Sequence, residues 1–165
     1  MVDEVREQLI KYIEDAHALE RHVEHQLTAI IDRTQDQEFL EHLRHHLAET
    51  QRHEQALRER LEQGYRRTPS PLKEAGSIFT TMSRDLIDAV RHDSPAKDAR
   101  DAYVAEQLEI ASYHLLEHFA VHAGDFATAE LARRNRADEE AMANKISARW
   151  EKVVHLSIAK ERATA

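Results

Sequence analysis

The sequence predicts an all-α fold: an antiparallel four-helix bundle with a short crossover helix between its second and third long helices. The 165 residues include only three Gly and three Pro, so most of the chain lacks helix breakers. Apolar residues recur at helical spacing through four long segments, and one clear break at residues 64–70 divides these segments into two pairs. We expect a single domain over residues 1–165, a length that allows a real hydrophobic core.

The first two helices should form a hairpin. The first is predicted over about residues 3–32 and the second up to about residue 63, with Thr34 as the N-cap and Gly64 as the C-terminal stop. Because only about three residues connect them, the two helices should pack antiparallel.

The second half of the chain begins with a weaker element. A crossover helix is predicted at about residues 71–92, and the third long helix at about residues 96–123. Gly124 should end that helix and Asp125 should cap the fourth, which is predicted over about residues 126–160.

Composition excludes several classes of protein. The chain has no cysteine, which rules out disulfides and thiolate metal sites. Its net charge of −8 argues against general nucleic-acid binding. No apolar run approaches the roughly 18 residues of a membrane span, and the polar, acidic N-terminus does not look like a signal peptide. We therefore expect a cytoplasmic protein that binds neither nucleic acid nor a membrane.

Glu106 and Glu109 lie on one face of the third helix, with Tyr113 one turn beyond Glu109. They share this face with Ile110, so we expect both carboxylates to belong to the inward stripe. A buried carboxylate is costly unless it is paired or binds a metal. The alternative is an ordinary solvated glutamate pair. Tyr113 could tune a metal centre through its hydroxyl, or it could simply bury its ring.

Every long helix carries acidic or imidazole side chains in its middle turns, where an apolar residue would be expected. These are Glu20, Glu49, His53, Glu106, Glu109 and either Glu139 or Glu140. In an antiparallel bundle the helix middles meet at one level, where several carboxylates would repel one another. Two metal ions bridged by carboxylates, with imidazole completing the coordination, would resolve this repulsion, as in di-iron bundles.

Four motifs resemble those of the ferritin-like stress-response proteins of the YciE/YciF type. The third helix has Glu106-x-x-Glu109-Ile-Ala-x-Tyr113, and the second has His46-Leu-x-Glu49-Thr-x-x-His53. The fourth helix has Asp138-Glu139-Glu140. Glu20 corresponds to the glutamate of a Tyr-x-Ala-Glu motif, although His17 and Leu19 replace its Tyr and Ala.

This resemblance implies a ferritin-like bundle, a homodimer, and a centre of two iron ions, or alternatively manganese or zinc. The ligands it implies are Glu20, Glu49, His53, Glu106, Glu109 and Glu139, with Tyr113 as a nearby catalytic donor. The implied function is stress protection by a ferroxidase-like or peroxide-consuming reaction, with dioxygen or peroxide as the small-molecule substrate. The alternative is a metal-free helical protein that acts through structure or protein interaction.

Overall fold

The computed structural model describes residues 2–69 and 95–164. Over these residues the chain forms five α-helices and no strand, so the predicted all-α fold is confirmed. The helices are α1 (Val2–Arg33), α2 (Gln37–Glu59), α3 (Pro95–Ala123), α4 (Phe126–Ser147) and α5 (Trp150–Thr164), and a π-helical turn (Arg60–Gly64) extends α2. The predicted crossover helix at residues 71–92 lies outside the described residues. None of the described helices has an apolar stretch long enough to cross a bilayer.

Helices α1 to α4 form a bundle in which packed neighbours run antiparallel. Helix α1 packs on α2 and α3, and α4 completes the ring by packing on α3 and α2. The diagonal pairs, α1 with α4 and α2 with α3, run parallel, because their first halves join the same apolar cluster. Helices α2 and α3 therefore start at the same end of the bundle.

The bundle core consists of two apolar clusters, one toward each end. The first lies where α1 begins and contains Leu9, Ile13, Leu57, Leu61, Leu116 and Leu131, among others. The second lies where α1 ends and contains Leu19, Leu27, Leu43, Met142 and Ile146, among others. Most of the buried polar side chains come from the middle turns of the four helices, between these two clusters. The apolar clusters thus flank a polar layer on both sides and separate it from the ends of the bundle.

The turn between α3 and α4 confirms the predicted helix boundary. Gly124 has a positive φ of 73°, which glycine adopts without steric cost. The Asp125 side chain then accepts a hydrogen bond of 3.0 Å from the backbone N–H of Thr128, as an N-cap does.

The predicted boundary between α1 and α2 was wrong in detail. Thr34 is not the N-cap of α2, because its hydroxyl donates to the Ile30 carbonyl at the end of α1, at 2.8 Å. Asp36 occupies the N-cap position but makes no side-chain capping bond. Its carboxylate instead pairs with Arg149 and with Lys152.

Gly64 does not end α2 as a left-handed residue, since it belongs to the π-helical turn. The residue with positive φ is Arg66, at 54°. A Cβ at position 64 would lie 3.2 Å from the guanidinium carbon of Arg60. Glycine at this position therefore makes room for Arg60, which reaches across to Asp125 at 2.6 Å.

The predicted fourth helix is two helices rather than one. The chain leaves α-helical geometry between α4 and α5, at Ala148 and Arg149, although neither residue is a helix breaker. The guanidinium of Arg149 pairs with Asp36 and lies 5.1 Å from the ring centre of Phe39. These contacts with the start of α2 fix the position of the interruption.

Candidate metal centre

The polar layer receives side chains from all four bundle helices. Helix α1 contributes Glu20, α2 contributes His46, Thr50 and His53, α3 contributes Glu106 and Glu109, and α4 contributes Asn135 and Glu139. None of these side chains belongs to a residue more than 7% exposed. Charged groups are rarely buried this completely unless they pair with one another or bind a metal.

Two groups of possible metal ligands lie side by side in this layer. The first consists of His46, Glu106, Glu109 and Glu139, and the second of Glu20, His53 and Glu139. Within each group the ligand atoms lie within 4.8 Å of one another. Glu139 belongs to both groups: its Oε2 is 3.4 Å from Nε2 of His46 and its Oε1 is 2.8 Å from Nδ1 of His53. The Glu139 carboxylate is thus placed between the two groups, where a bridging ligand would be.

The inward-facing atoms approach one another without forming hydrogen bonds. Nε2 of His46 lies 3.1 Å from Oε1 of Glu106, yet this nitrogen has no hydrogen-bond partner among the described residues. The same holds for Nδ1 of His53 and for both carboxylate oxygens of Glu109 and of Glu139. Buried polar atoms are nearly always hydrogen-bonded in native proteins. Buried His and Glu side chains whose unsatisfied atoms converge in this way could hold metal.

Burial disfavours the charged form of three carboxyl groups in this layer, those of Glu20, Glu106 and Glu109. Burial raises the pKa of Glu20 and of Glu106 to about 7. Burial also raises the pKa of Glu109 well above its usual range, and the charges of Glu139 and Glu20 add to this shift. The layer therefore holds protons that a bound cation would displace.

The histidines favour the charged form. Burial by itself would lower the pKa of His46, but the carboxylates of Glu106 and Glu49 outweigh it and raise the value to about 10. In the same way, Glu139 outweighs burial and raises the pKa of His53 to about 10. Each imidazolium offsets part of the negative charge around it.

Tyr113 is 1% exposed and lies next to the second group. Its hydroxyl donates a hydrogen bond to Oε1 of Glu20 and accepts one of 3.0 Å from the side-chain amide of Asn135. Burial and the nearby carboxylate of Glu20 raise the pKa of Tyr113 well above its usual range. The hydroxyl therefore keeps its proton and holds one oxygen of Glu20 in place.

The structure brings five of the six predicted ligands into the two groups and adds one that the sequence analysis did not select. Glu49 lies at the edge of the layer, with its side chain 12% exposed, and belongs to neither group. His46 belongs to the first group and is fully buried. On α4, Glu139 is buried and belongs to both groups, whereas Glu140 is exposed and pairs with Arg136.

A signal for His46 was present in the sequence. His46, Thr50, His53 and Leu57 repeat at helical spacing, and all four are buried in the structure. The neighbouring Leu47 is also a candidate for the inward face, since it is apolar, but Leu47 is only half-buried. The two positions are adjacent in the sequence, and the burial of their side chains in the structure distinguishes them.

A protein-family profile described as "Domain of unknown function (DUF892)" matches residues 4–159. The chain belongs to the DUF892 family. This match covers all or most of each described helix and includes every residue of the two ligand groups. No curated protein matches the chain in sequence.

Solved structures of similar proteins share the fold along nearly the whole chain. A protein from Xanthomonas campestris pathovar campestris is 26% identical, with a TM-score of 0.79 over 96% of this chain and 99% of its own. The Escherichia coli stress protein YciF is 18% identical, with a TM-score of 0.79 over 92% and 97% of the two chains. YcfI from Rhodopseudomonas palustris, described as a putative structural protein, is 20% identical, with a TM-score of 0.74 over 87% and 92%. Together with the family match, these structures support the predicted resemblance to the YciE/YciF type.

Proposed function

We propose that this protein is a ferritin-like di-metal carboxylate protein that holds two ions in the middle of its bundle. Iron is the first candidate and manganese the second, with zinc as a further alternative. The observation that carries the proposal is the pair of buried ligand groups that share Glu139. A single ion would use only one group, whereas two ions would use the unpartnered carboxylate and imidazole atoms of both groups.

The residues present fit such a centre. His46, Glu106 and Glu109 would hold one ion, Glu20 and His53 the other, and Glu139 would contact both. Carboxylate oxygen with a minority of imidazole nitrogen suits iron and manganese, and imidazole also suits zinc. The absence of cysteine from the chain removes the soft thiolate ligands that select copper(I).

Iron bound there would supply a one-electron redox couple for reaction with dioxygen or peroxide. The surrounding chain contributes exclusion of water, since an apolar cluster lies on either side of the polar layer. It also contributes a positioned proton, because the Tyr113 hydroxyl donates to Glu20. A ferroxidase-like or peroxide-consuming activity of this kind would protect a cell under oxidative stress, a role in keeping with the description of YciF as a stress protein.

The test is to count the metal ions bound by three proteins expressed without an affinity tag. Wild type should bind about two ions per chain, His53→Ala about one, and Glu139→Ala neither with useful affinity, because Glu139 serves both groups. Wild type should also oxidise Fe(II) faster than a metal-free buffer control. Equal metal content in all three proteins would show that the ions bind elsewhere, and the proposal would fail.

A second candidate is a metal-free bundle that acts through association. It is favoured by the two histidines, since their raised pKa values mean that imidazolium groups offset part of the buried negative charge without any metal. In that case wild type and Glu139→Ala would both contain little metal, and Glu20 and Glu106, whose pKa values are about 7, would be partly protonated near neutral pH.

We also propose that the protein forms a homodimer. Three apolar residues at intervals of four along α5, Trp150, Val154 and Ile158, are between 38% and 49% exposed. Exposed apolar stripes of this kind often mark protein interfaces. Light scattering at micromolar concentration should give twice the mass of one chain, and Val154→Glu should shift the protein toward the monomer.

A further inference from the structure

Each buried histidine of the metal centre faces carboxylates with both ring nitrogens. For His46, Nε2 points into the centre toward Glu106, and Nδ1 lies 3.4 Å from Oε2 of Glu49. The His53 ring has the opposite orientation: Nδ1 points into the centre, and Nε2 lies 3.2 Å from Oδ2 of Asp138. The two rings thus present different nitrogens to the centre.

The inward and outward nitrogens also differ in their hydrogen bonding. The outward nitrogens of His46 and His53 make hydrogen bonds, to Glu49 and Asp138. The inward nitrogens have no hydrogen-bond partner in the described part of the chain. A metal ligand needs a nitrogen with a free lone pair, and a carboxylate on the other N–H fixes the tautomer and the ring orientation.

We propose that Glu49 and Asp138 are positioning residues that hold the two histidines in opposite tautomers for metal binding. Glu49 accepts from Nδ1–H of His46 and leaves Nε2 to bind one ion. Asp138 accepts from Nε2–H of His53 and leaves Nδ1 to bind the other. This inference rests on the proposed di-metal function, and it assigns Glu49 a role other than that of a ligand.

The carboxylates of Glu49 and Asp138 approach their histidines from different helices and differ in exposure. Glu49 is on the same helix as His46, three residues later, and its carboxylate is also approached by His45 at 3.1 Å and by Arg52 at 3.8 Å. Asp138 reaches His53 from α4, next to Glu139, and its side chain is 42% exposed. The hydrogen bond of the more buried carboxylate is less weakened by water, so loss of Glu49 should have the larger effect.

The direct test is the tautomeric state of the two rings in ¹⁵N-labelled protein loaded with Zn(II), which is diamagnetic. Long-range ¹H–¹⁵N correlation spectra should show His46 protonated on Nδ1 and metal-bound through Nε2, with the reverse for His53. Assignment would follow from His46→Ala and His53→Ala. The same tautomer in both rings would overturn the proposal.

Metal affinity provides the second test, by competition between the protein and a chromogenic chelator for Zn(II). Glu49→Ala and Asp138→Ala should weaken binding at one site by about 10–100-fold and leave two sites per chain. Glu49→Gln and Asp138→Asn keep an acceptor and should recover part of the loss. Glu41→Ala and Glu140→Ala, at exposed positions on the same helices, should match wild type.

The outcomes separate this inference from the function on which it rests. If wild type binds two Zn(II) ions and the Ala variants bind both with unchanged affinity, the positioning role is wrong and the di-metal proposal stands. If Glu49→Ala binds only one ion, Glu49 is a ligand and the inference fails for His46. If wild type binds no Zn(II), both proposals fail.

Discussion

Replacing Glu109 by methionine should stabilise the metal-free protein and should weaken its binding of metal. Glu109 is fully buried, and neither carboxylate oxygen has a hydrogen-bond partner within the described ranges. Methionine has a similar volume and no polar atoms, so the substitution leaves little cavity. In metal-free wild type, this buried polar group costs stability that the variant recovers.

The expected size follows from the cost of an unsatisfied buried polar group, about 1–3 kcal/mol. For a domain of this size each kcal/mol corresponds to about 2–4 °C in Tm. We therefore expect Glu109→Met to melt about 2–12 °C above wild type in the presence of a chelator. With Zn(II) at about 100 times its Kd, wild type should gain roughly 2.7 kcal/mol per site, and the variant should lose this gain at the first ligand group.

The assay is thermal unfolding followed by circular dichroism, with chelator and with Zn(II). Gln107→Met, at an exposed position on the same helix, is the control for adding a methionine to α3. A metal-free Glu109→Met protein that melts below wild type would refute the argument that this buried carboxyl destabilises the metal-free fold. A Zn(II)-induced rise in Tm equal to that of wild type would refute its role as a ligand.

Three further predictions concern protons and local contacts. The metal-free protein should lose stability from about pH 5.5 to 8.5, while Zn(II) affinity measured over the same range should rise, because ions compete with protons at His46 and His53. Tyr113→Phe should lower the free energy of unfolding in urea by about 1–2 kcal/mol, keep two Zn(II) sites and slow Fe(II) oxidation, since it removes only a hydroxyl. Asp125→Ala should cost about 1–2 kcal/mol at pH 7 through loss of the α4 cap, with unchanged metal binding. Burial opposes ionisation of Asp125, but its bonds to Thr128 and other donors lower its pKa to about 2, so this difference should disappear as pH falls through that value.

The sign of the first pH prediction follows from the direction of the shifts. Glu20 and Glu106 have a pKa of about 7 in the folded protein, above the value of 4.5 for an unburied glutamate. Stability from such groups is complete below about pH 4.5 and is lost as pH rises through 7. The stability that protonated His46 and His53 contribute is also lost as pH rises, up to about pH 10. A metal-free protein more stable at pH 8.5 than at pH 5.5 would contradict these assignments.

Much of the fold could be predicted from periodicity and turn chemistry. The Gly124-Asp125 turn follows from local preferences alone, because a left-handed glycine and a capping aspartate need no distant partner. The interruption at Arg149 could not be predicted in this way. It depends on contacts with Asp36 and Phe39, more than a hundred residues earlier in the chain.

The residues of the candidate site could also be predicted only in part from the sequence. Glu106 and Glu109 could be selected because two acidic residues share an otherwise inward-facing stripe. The choice between His46 and Glu49 could not be made from spacing, since both lie near the inward face of α2 and both residue types bind metals. Only the packed bundle shows that the imidazole reaches the centre and that the Glu49 carboxylate stays at its edge.

The most direct test of the di-metal account is the number of Zn(II) or Mn(II) ions bound per chain by wild type and by Glu139→Ala. We expect about two ions per wild-type chain and none bound tightly by the variant, because the two ligand groups share this one carboxylate. Glu140→Ala, at the neighbouring exposed position, should still bind two. Metal that remains in Glu139→Ala at the wild-type level would show that the two buried ligand groups do not hold the ions.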